Sequence, residues 1–247
     1  MTAAEQTGAP SWARLRQVIL VTAEIEADTS ALRSAFGFGA GFHDTELEEY
    51  EMADHTFTLA DHTYLQLVTS RNPQDALARW TAKIGGRGGY ALSIQHPDPL
   101  AVKTRAEALG VRVIRSQEAL GYPIVQLHPR DTAILLEADG IADRDVWFWD
   151  GLGEPAQATA GAAVEGIVAV EATVEDPPRL GNLWHELLGL RPGSDPSVVD
   201  LGGPELRFVK GEPSSRWTVV LRRNAAAGEL PADVLPGVTF RYLAAGS

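Results

Sequence analysis

The strongest constraint on this chain is internal repetition. One order of elements, strand–helix–strand–strand–strand, is spelled out twice in full and a third time in weaker form. In the first copy Arg14 to Thr22 is a β-rich run, and Glu24 to Phe36 carries Ile25, Leu32 and Phe36 at helical spacing, with Asp28 and Thr29 as candidate caps and Gly37 and Gly39 as the stop. Strands are expected weakly over Asp44 to Tyr50, then over His55 to Leu59 and Thr63 to Thr69, with Asp61-His62 as the turn between the last two. The second copy begins roughly 75 residues later, after a helix over Pro73 to Ile84 and the run Gly85-Gly86-Arg87-Gly88-Gly89. It has a strand at Tyr90 to His96, a helix at Leu100 to Leu109, and strands at Val111 to Arg115, Tyr122 to His128 and Ala133 to Ala138.

Gly151 to Gly166 is rich in Ala, Gly, Thr and Pro and reads as a linker. Beyond it come a strand (Gly166 to Val174), a helix (Arg179 to Leu188, with an apolar stripe through Leu180, Leu183, Trp184, Leu187 and Leu188) and strands near Ser197 to Leu201, Glu205 to Val209 and Trp217 to Arg222. Gly237 to Leu243 is one more strand, the trace of a partial fourth unit. The expected class is α+β: repeated βαβββ modules, two forming a curled sheet around a cleft, plus a third. The divisions are a flexible arm (1–12), a paired domain (13–150), a linker (151–164) and a third module (165–247). An unpaired third module must bury its open face, either on the partial fourth unit or on a second chain as a homodimer.

A net charge of −12 argues against nucleic acid as a partner, because phosphate binding needs a basic surface. No apolar run approaches 18 residues, so no membrane span is expected. Met1 to Ser11 lacks the basic and apolar regions of a signal peptide and reads as a loose arm. The chain has no cysteine, which removes disulfides, thiolate nucleophiles and cysteine-type zinc sites and fits a cytoplasmic location. The Gly-rich run at 85–89 lacks the Gly-Lys-Ser/Thr ending of a phosphate loop.

The segment Leu127-His128-Pro129-Arg130-Asp131 through Leu135-Leu136-Glu137 is a polar turn followed by an apolar strand that ends on a carboxylate. Glu137 has either reached solvent or been placed in a pocket as a metal ligand or proton carrier. With Tyr64-Leu65-Gln66-Leu67-Val68, Asp98-Pro99-Leu100-Ala101 and Ala108-Leu109-Gly110-Val111, this chain resembles the vicinal oxygen chelate superfamily, the glyoxalase, bleomycin-resistance and extradiol-dioxygenase fold. In motif it is nearest to the methylmalonyl-CoA epimerase-like branch. The similarity is good over residues 13 to 139 and weak over 165 to 223.

The resemblance implies four ligand positions on strands. Here they are Gln17, Gln66, Glu137 and, where the family has His, Ala91. One carboxylate and two amides make a poor site for zinc or iron, so no cofactor is expected, and a divalent metal on Gln17, Gln66 and Glu137 stands as the alternative. His96 lies on the same strand as Ala91 but on the opposite face by alternation.

Without a metal, burial would raise the Glu137 carboxyl and make it a usable base or acid, and Gln17 and Gln66 could donate N–H bonds to a substrate oxygen. The bland alternative is that the three bond one another across the barrel. His55 is a candidate acid–base partner, and Tyr64 and His43 are candidate cleft-lining residues for substrate. His62 and His128 read as turn residues, and His185 as solvent-facing. Tyr90 is expected to face away from the cleft. Trp147-Phe148-Trp149 is expected to pack the linker on the barrel rather than act as a lid.

The leading expectation is a small-molecule enzyme, an isomerase, epimerase or lyase, that transfers a proton next to a carbonyl with Glu137 as general base or acid. The alternatives are a protein that binds a small molecule or antibiotic without turnover, and a metal-dependent lyase or dioxygenase.

Overall fold

A computed structural model describes residues 11–153 and 157–244. The arm expected over 1–12 lies outside the described residues except for its end, which is tied down. Ser11 Oγ bonds His96 Nε2 at 2.8 Å, and the Arg144 guanidinium lies 5.7 Å over the Trp12 ring. Residues 154–156 of the expected linker also lie outside.

The first unit is β1 (Arg14–Thr22), α1 (Ile25–Phe36), β2 (Met52–Thr58) and β3 (Tyr64–Ser70). A connecting helix α2 (Ala76–Lys83) leads to the second: β4 (Arg87–Gln95), α3 (Pro99–Ala108), β5 (Val113–Ala119), β6 (Tyr122–Leu127), one turn of helix α4 (Pro129–Thr132) and β7 (Leu135–Asp139). These seven strands form one mixed sheet in the order β2-β3-β1-β4-β7-β6-β5. The third unit supplies β8 (Val164–Val174), α5 (Pro177–Leu188), β9 (Val198–Asp200) and β10 (Glu205–Lys210); β11 (Trp217–Arg223) and β12 (Val238–Leu243) follow. They make a second mixed sheet, β12-β11-β8-β10-β9. The class is α+β.

The second sheet repeats the first. β8 pairs parallel with β10 and antiparallel with β11, as β1 does with β3 and β4. β11 pairs parallel with β12, as β4 does with β7. The strand at 217–223 is therefore not the last strand of the third unit but the first of an incomplete fourth, which has no helix between its two strands. The third unit buries its open edge within the chain, on this partial fourth unit.

Two local expectations are also corrected. Thr45–Tyr50 is a 3-10 helix, not a strand, and Asp44 caps it by accepting from the Glu46 N–H at 3.0 Å. Leu47 and Tyr50, three apart, share one face of such a helix, a spacing that reads poorly as strand alternation. The Phe42–Thr56 bridge is what strand pairing remains there. Asp28 and Thr29 are not caps, because α1 begins before them. Asp28 is buried, accepts from Thr22 Oγ1 at 2.5 Å and pairs with Arg87 Nε at 2.6 Å.

One continuous apolar core joins the helix-facing sides of both sheets. Trp184 on α5 is fully buried and its indole N–H donates to the Thr132 carbonyl at 2.9 Å. Phe36 meets Phe240 edge-on with ring centres 5.3 Å apart. Trp147-Phe148-Trp149 packs with Phe42, Tyr64 and Ile141, the packing role expected for it. Among the described residues no helix is long and apolar enough to cross a membrane.

Gly89 of β4 sits against the Trp217 ring of β11, and a Cβ there would lie 1.7 Å from the indole. Gly89→Ala should therefore cost about 2–3 kcal/mol of stability by overpacking. Urea denaturation of the two proteins at one pH measures it.

Candidate active site

The face of the large sheet away from the common core carries the candidate residues. Two bulges on the β1–β4 seam decide which. Leu15 pairs with Ile94 but Gln17 pairs with Ser93, so Arg16 is an extra residue in β1. Ile19 pairs with Ala91 but Leu20 pairs with Gly89, so Tyr90 is extra in β4. A bulge turns two successive side chains toward one side. Arg16 thus joins Gln17, and Tyr90 joins Ala91, where strict alternation would have sent each to the core. This corrects the expectation for Tyr90, whose ring packs 5.8 Å from Trp80 of α2, among the residues over Ala91 and Leu135.

Gln17, Ser93 and Glu137 form one row across β1, β4 and β7 through the pairs Gln17–Ser93 and Ser93–Glu137. Gln126 of β6 pairs with Glu137, and its amide Nε2 donates to Glu137 Oε2. Asp139, two residues on along the same face, is buried and its Oδ2 accepts from Ser93 Oγ. On the first-unit side Gln66 and Asp54 are joined, Nε2 to Oδ2, at 3.0 Å. Asp54 is buried and also accepts from Thr56 Oγ1 at 3.0 Å and from the Asp44 N–H at 3.0 Å. Gln17, Gln66 and Glu137 therefore share a face but do not bond one another. Gln66 is committed to Asp54, and Glu137 to Gln126.

The electrostatics follow from burial. Desolvation raises the carboxyls of Glu137 and Asp54 above the ordinary range. Asp139 is pushed up further, by burial and then by the neighbouring Glu137 charge. Asp44 is pushed up to about 6, by burial and then by Asp54, against the Glu46 N–H bond that lowers it. Asp44 also raises Glu137, so the charge on the 3-10 helix is felt at β7. The compensating cation is Arg115 of β5, whose guanidinium lies 4.1 Å over the Tyr50 ring.

The expected histidines sit at the β2 edge, His43 beside Asp54 with its Nδ1 4.0 Å from Asp54 Oδ1. His55 alternates with Asp54 and Thr56, so it occupies the other face of β2. Its Nε2 meets the Ala40 carbonyl at 2.6 Å and its ring stands 4.8 Å from His43. His43 is exposed, with Nδ1 on the Asp54 carbonyl at 2.5 Å. Neither is grouped with Gln17 and Glu137. Tyr64 is buried under Trp149, ring centres 4.8 Å apart, and burial pushes its hydroxyl up to about 12. It lines a cavity of about 170 Å³ with His62, Trp149 and Asp150, and none of Gln17, Gln66 or Glu137 lines that cavity. His96 is buried against the Leu188 carbonyl of α5 at 3.0 Å. His185 is buried too, on the Gly181 carbonyl at 2.7 Å, not solvent-facing as the sequence suggested.

Sequence reasoning missed Asp44, Asp54, Ser93, Gln126 and Asp139. Asp139 carried a usable signal, since it continues the alternation of Leu135 and Glu137. The others become neighbours through pairing alone.

Of the four expected ligand positions, Ala91 has no donor atom, and among the described residues no three His, Cys, Asp or Glu are grouped to hold an ion.

The same bulge recurs in the small sheet at Val168, between the pairs Leu221–Ile167 and Val220–Ala169. It aligns Ala169 with Gln17 and Val220 with Ser93. The pairs Arg207–Glu171 and Arg241–Val220 then align Arg207 with Gln66 and Arg241 with Glu137. There Glu171 bonds Arg241 twice at 2.9 Å and pairs with Arg207 at 3.4 Å. The small sheet thus keeps the geometry and carries cations where the large sheet has Gln66 and Glu137.

Asp44 gives a stability test. Its folded value, about 6, lies above its ordinary 3.8, so its favourable contribution is complete below about pH 4 and is lost as pH rises through about 6. Asp44→Asn keeps a capping oxygen. Its stability relative to the parent should therefore rise between pH 4.5 and 8, measured by urea denaturation at both.

No family model and no curated protein matches the chain. Solved structures do. A hypothetical protein from Staphylococcus aureus aligns with TM-score 0.61 over 94% of this chain and 99% of its own, at 12% identity. The Mn(II)-bound glyoxalase from Novosphingobium aromaticivorans aligns with TM-score 0.55 over 87% of this chain and 67% of its own, at 14% identity. A methylmalonyl-CoA epimerase from Mycobacterium tuberculosis covers 56% of this chain and 94% of its own, with TM-score 0.46 and 18% identity. The whole-length alignments and the repeated strand order agree: the chain has the fold of the vicinal oxygen chelate superfamily.

Proposed function

We propose that this protein is a small-molecule enzyme that moves a proton at a carbon next to a carbonyl, an isomerase or epimerase, with Glu137 as general base and acid. The observation that carries this is Glu137 itself. It is a carboxyl raised by burial, steadied on one oxygen by Gln126, and left with its other oxygen unclaimed by any described residue. A base with an elevated pKa is matched to proton abstraction near neutral pH. Asp44, with its own value about 6, is the second group able to exchange a proton there. The Gln17 side chain has no hydrogen bond to a described residue, so its amide is available to a substrate carbonyl or enolate oxygen. Gln66 holds Asp54 in place instead.

In this reading the large sheet curls so that its two edges share one cleft. Tyr50 supports it. The 3-10 helix is fastened to the β2 edge through Asp44 and Asp54, yet Tyr50 receives the Gln117 amide of β5, the opposite edge strand, at 3.2 Å.

The alternative is a protein that binds a small aromatic molecule without turnover, favoured by the Trp80–Tyr90 pair over the apolar floor of Ile19, Ala91 and Leu135. Exchange of α-protons in deuterium oxide across a panel of ketones, amides and thioesters, followed by NMR, separates the two. The enzyme should catalyse exchange at a rate that rises as pH passes above the ordinary carboxylate range. Glu137→Gln should lower that rate by about 10²–10⁴-fold with binding retained. No exchange with any member of the panel favours the binding protein.

A further inference from the structure

We infer that His96 is an acid-released clasp between the large sheet and the third unit: the neutral ring ties the end of β4 to the C-terminal end of α5, and a proton on the ring frees that end. The hydrogen bonds already made fix the neutral form. The Asp98 N–H donates to Nδ1 at 3.0 Å, so Nδ1 carries no proton. The one ring proton is therefore on Nε2, which faces the Leu188 carbonyl at 3.0 Å and Ser11 Oγ at 2.8 Å. The residue is 1% exposed, so both ring nitrogens depend on these partners.

Three segments meet at this ring. Gly189, just past α5, is left-handed, and a Cβ on it would lie 3.3 Å from both Ser11 Cβ and Arg105 Cζ. Arg105 of α3 donates from Nε to the Leu187 carbonyl at 2.7 Å. Two carbonyls at the end of α5 are thus claimed by His96 and Arg105, both from the second unit, as donors do at a helix C-terminus. Arg105 already brings one positive charge there. Its Nη2 is buried with no hydrogen bond to a described residue, so the spot has no acceptor to spare for a second cation.

A second ring proton has to sit on Nδ1, where it points at the Asp98 N–H, donor against donor. That bond is then lost, at the entry of α3 where Asp98 Oδ1 caps the Ala101 N–H at 3.0 Å. The charged groups acting on the ring are Arg105, which opposes the proton, and Asp98, which favours it. From β7, Asp139 offers only its carbonyl, to the His96 N–H at 2.9 Å, while its side chain holds Ser93. On α5, His185 is turned to the Gly181 carbonyl. Burial outweighs the favourable partners and holds the ring below its ordinary 6.5. Such a histidine supports the fold fully above pH 6.5 and loses that support as pH falls below it, toward the lower folded value. The sign is opposite to that of Asp44, whose contribution grows in acid.

Amide hydrogen exchange on the full chain at pH 7.5 and 5.5, corrected for the intrinsic pH dependence, tests the clasp. The reporters are the Gly189 and Leu190 N–H groups, held by the Glu186 and His185 carbonyls at 3.2 and 2.8 Å, with the amides of β1 as internal reference. One pH unit below 6.5 favours the opened, protonated state by about tenfold, so protection at the reporters should fall by about that factor relative to β1. His96→Gln keeps a side-chain N–H for the Leu188 carbonyl and does not titrate, so its protection should be the same at both pH values. Equal protection at both pH values in the parent, or the same loss in His96→Gln, overturns the inference. Should the variant not fold, the parent alone decides: the His96 Cε1–H resonance should titrate below pH 6.5, and a midpoint at or above 6.5 overturns the inference.

Discussion

The antiparallel seam between β1 and β4 is the interaction on which the rest depends. It joins the two complete units, occupies the centre of the seven-stranded sheet, and carries both bulges. Each bulge inserts one residue and so changes which side chains look into the candidate site. Without the first, Arg16 would point into the apolar core. With it, the guanidinium lies on the other face, where Gln95 Oε1 accepts from Nε at 2.8 Å and backbone carbonyls of His62, Arg144 and Val146 take the remaining N–H groups. Burial and the nearby Arg14 lower its pKa to about 10, still far above neutrality, so the charge is kept and solvated by carbonyls. Gln95 holds the same segment through the carbonyls of Ile141, Asp143 and Val146. Arg16 and Gln95 together strap residues 141–150 and the aromatic run at 147–149 across the sheet.

The two sheets show how one architecture supports opposite electrostatics. Register, bulge and strand order are shared, so equivalent positions are known independently of sequence likeness. In the large sheet those positions hold amides and a carboxylate raised by burial. In the small sheet they hold Arg207 and Arg241 neutralised by Glu171, an arrangement suited to a face closed by ion pairs. The truncated fourth unit, with no helix between its strands, removes the elements that would oppose that face. Function is a property of the residues set on the scaffold rather than of the scaffold.

Several features are legible in the amino-acid sequence alone. Strand periodicity at 14–22 and 64–70, the helix closed by Gly37 in a left-handed conformation, and the Asp98 and Asp176 side chains that cap α3 and α5 all depend on neighbours within a few residues. Position is readable for Gln17, Gln66 and Glu137 because alternation is local. Partnership is not. Gln66 reads as a residue facing substrate, but Asp54, twelve residues earlier on the neighbouring strand, takes its amide. His55 reads as functional by residue type, and alternation on β2 puts it on the other face.

The sequence by itself determined the repeated modules, the α+β class and the strand on which each candidate lies, because hydrophobic period, caps and turn residues are encoded over short windows. Only the tertiary structure decided which carboxyls meet. Asp44 comes from a 3-10 helix that reads as a strand, Asp54 from β2, and Glu137 and Asp139 from β7, brought into one electrostatic neighbourhood by pairing across the β1–β4 seam. Pairing register and bulges are long-range outcomes of packing, and burial, the cause of every raised carboxyl here, exists only once the sheet is assembled.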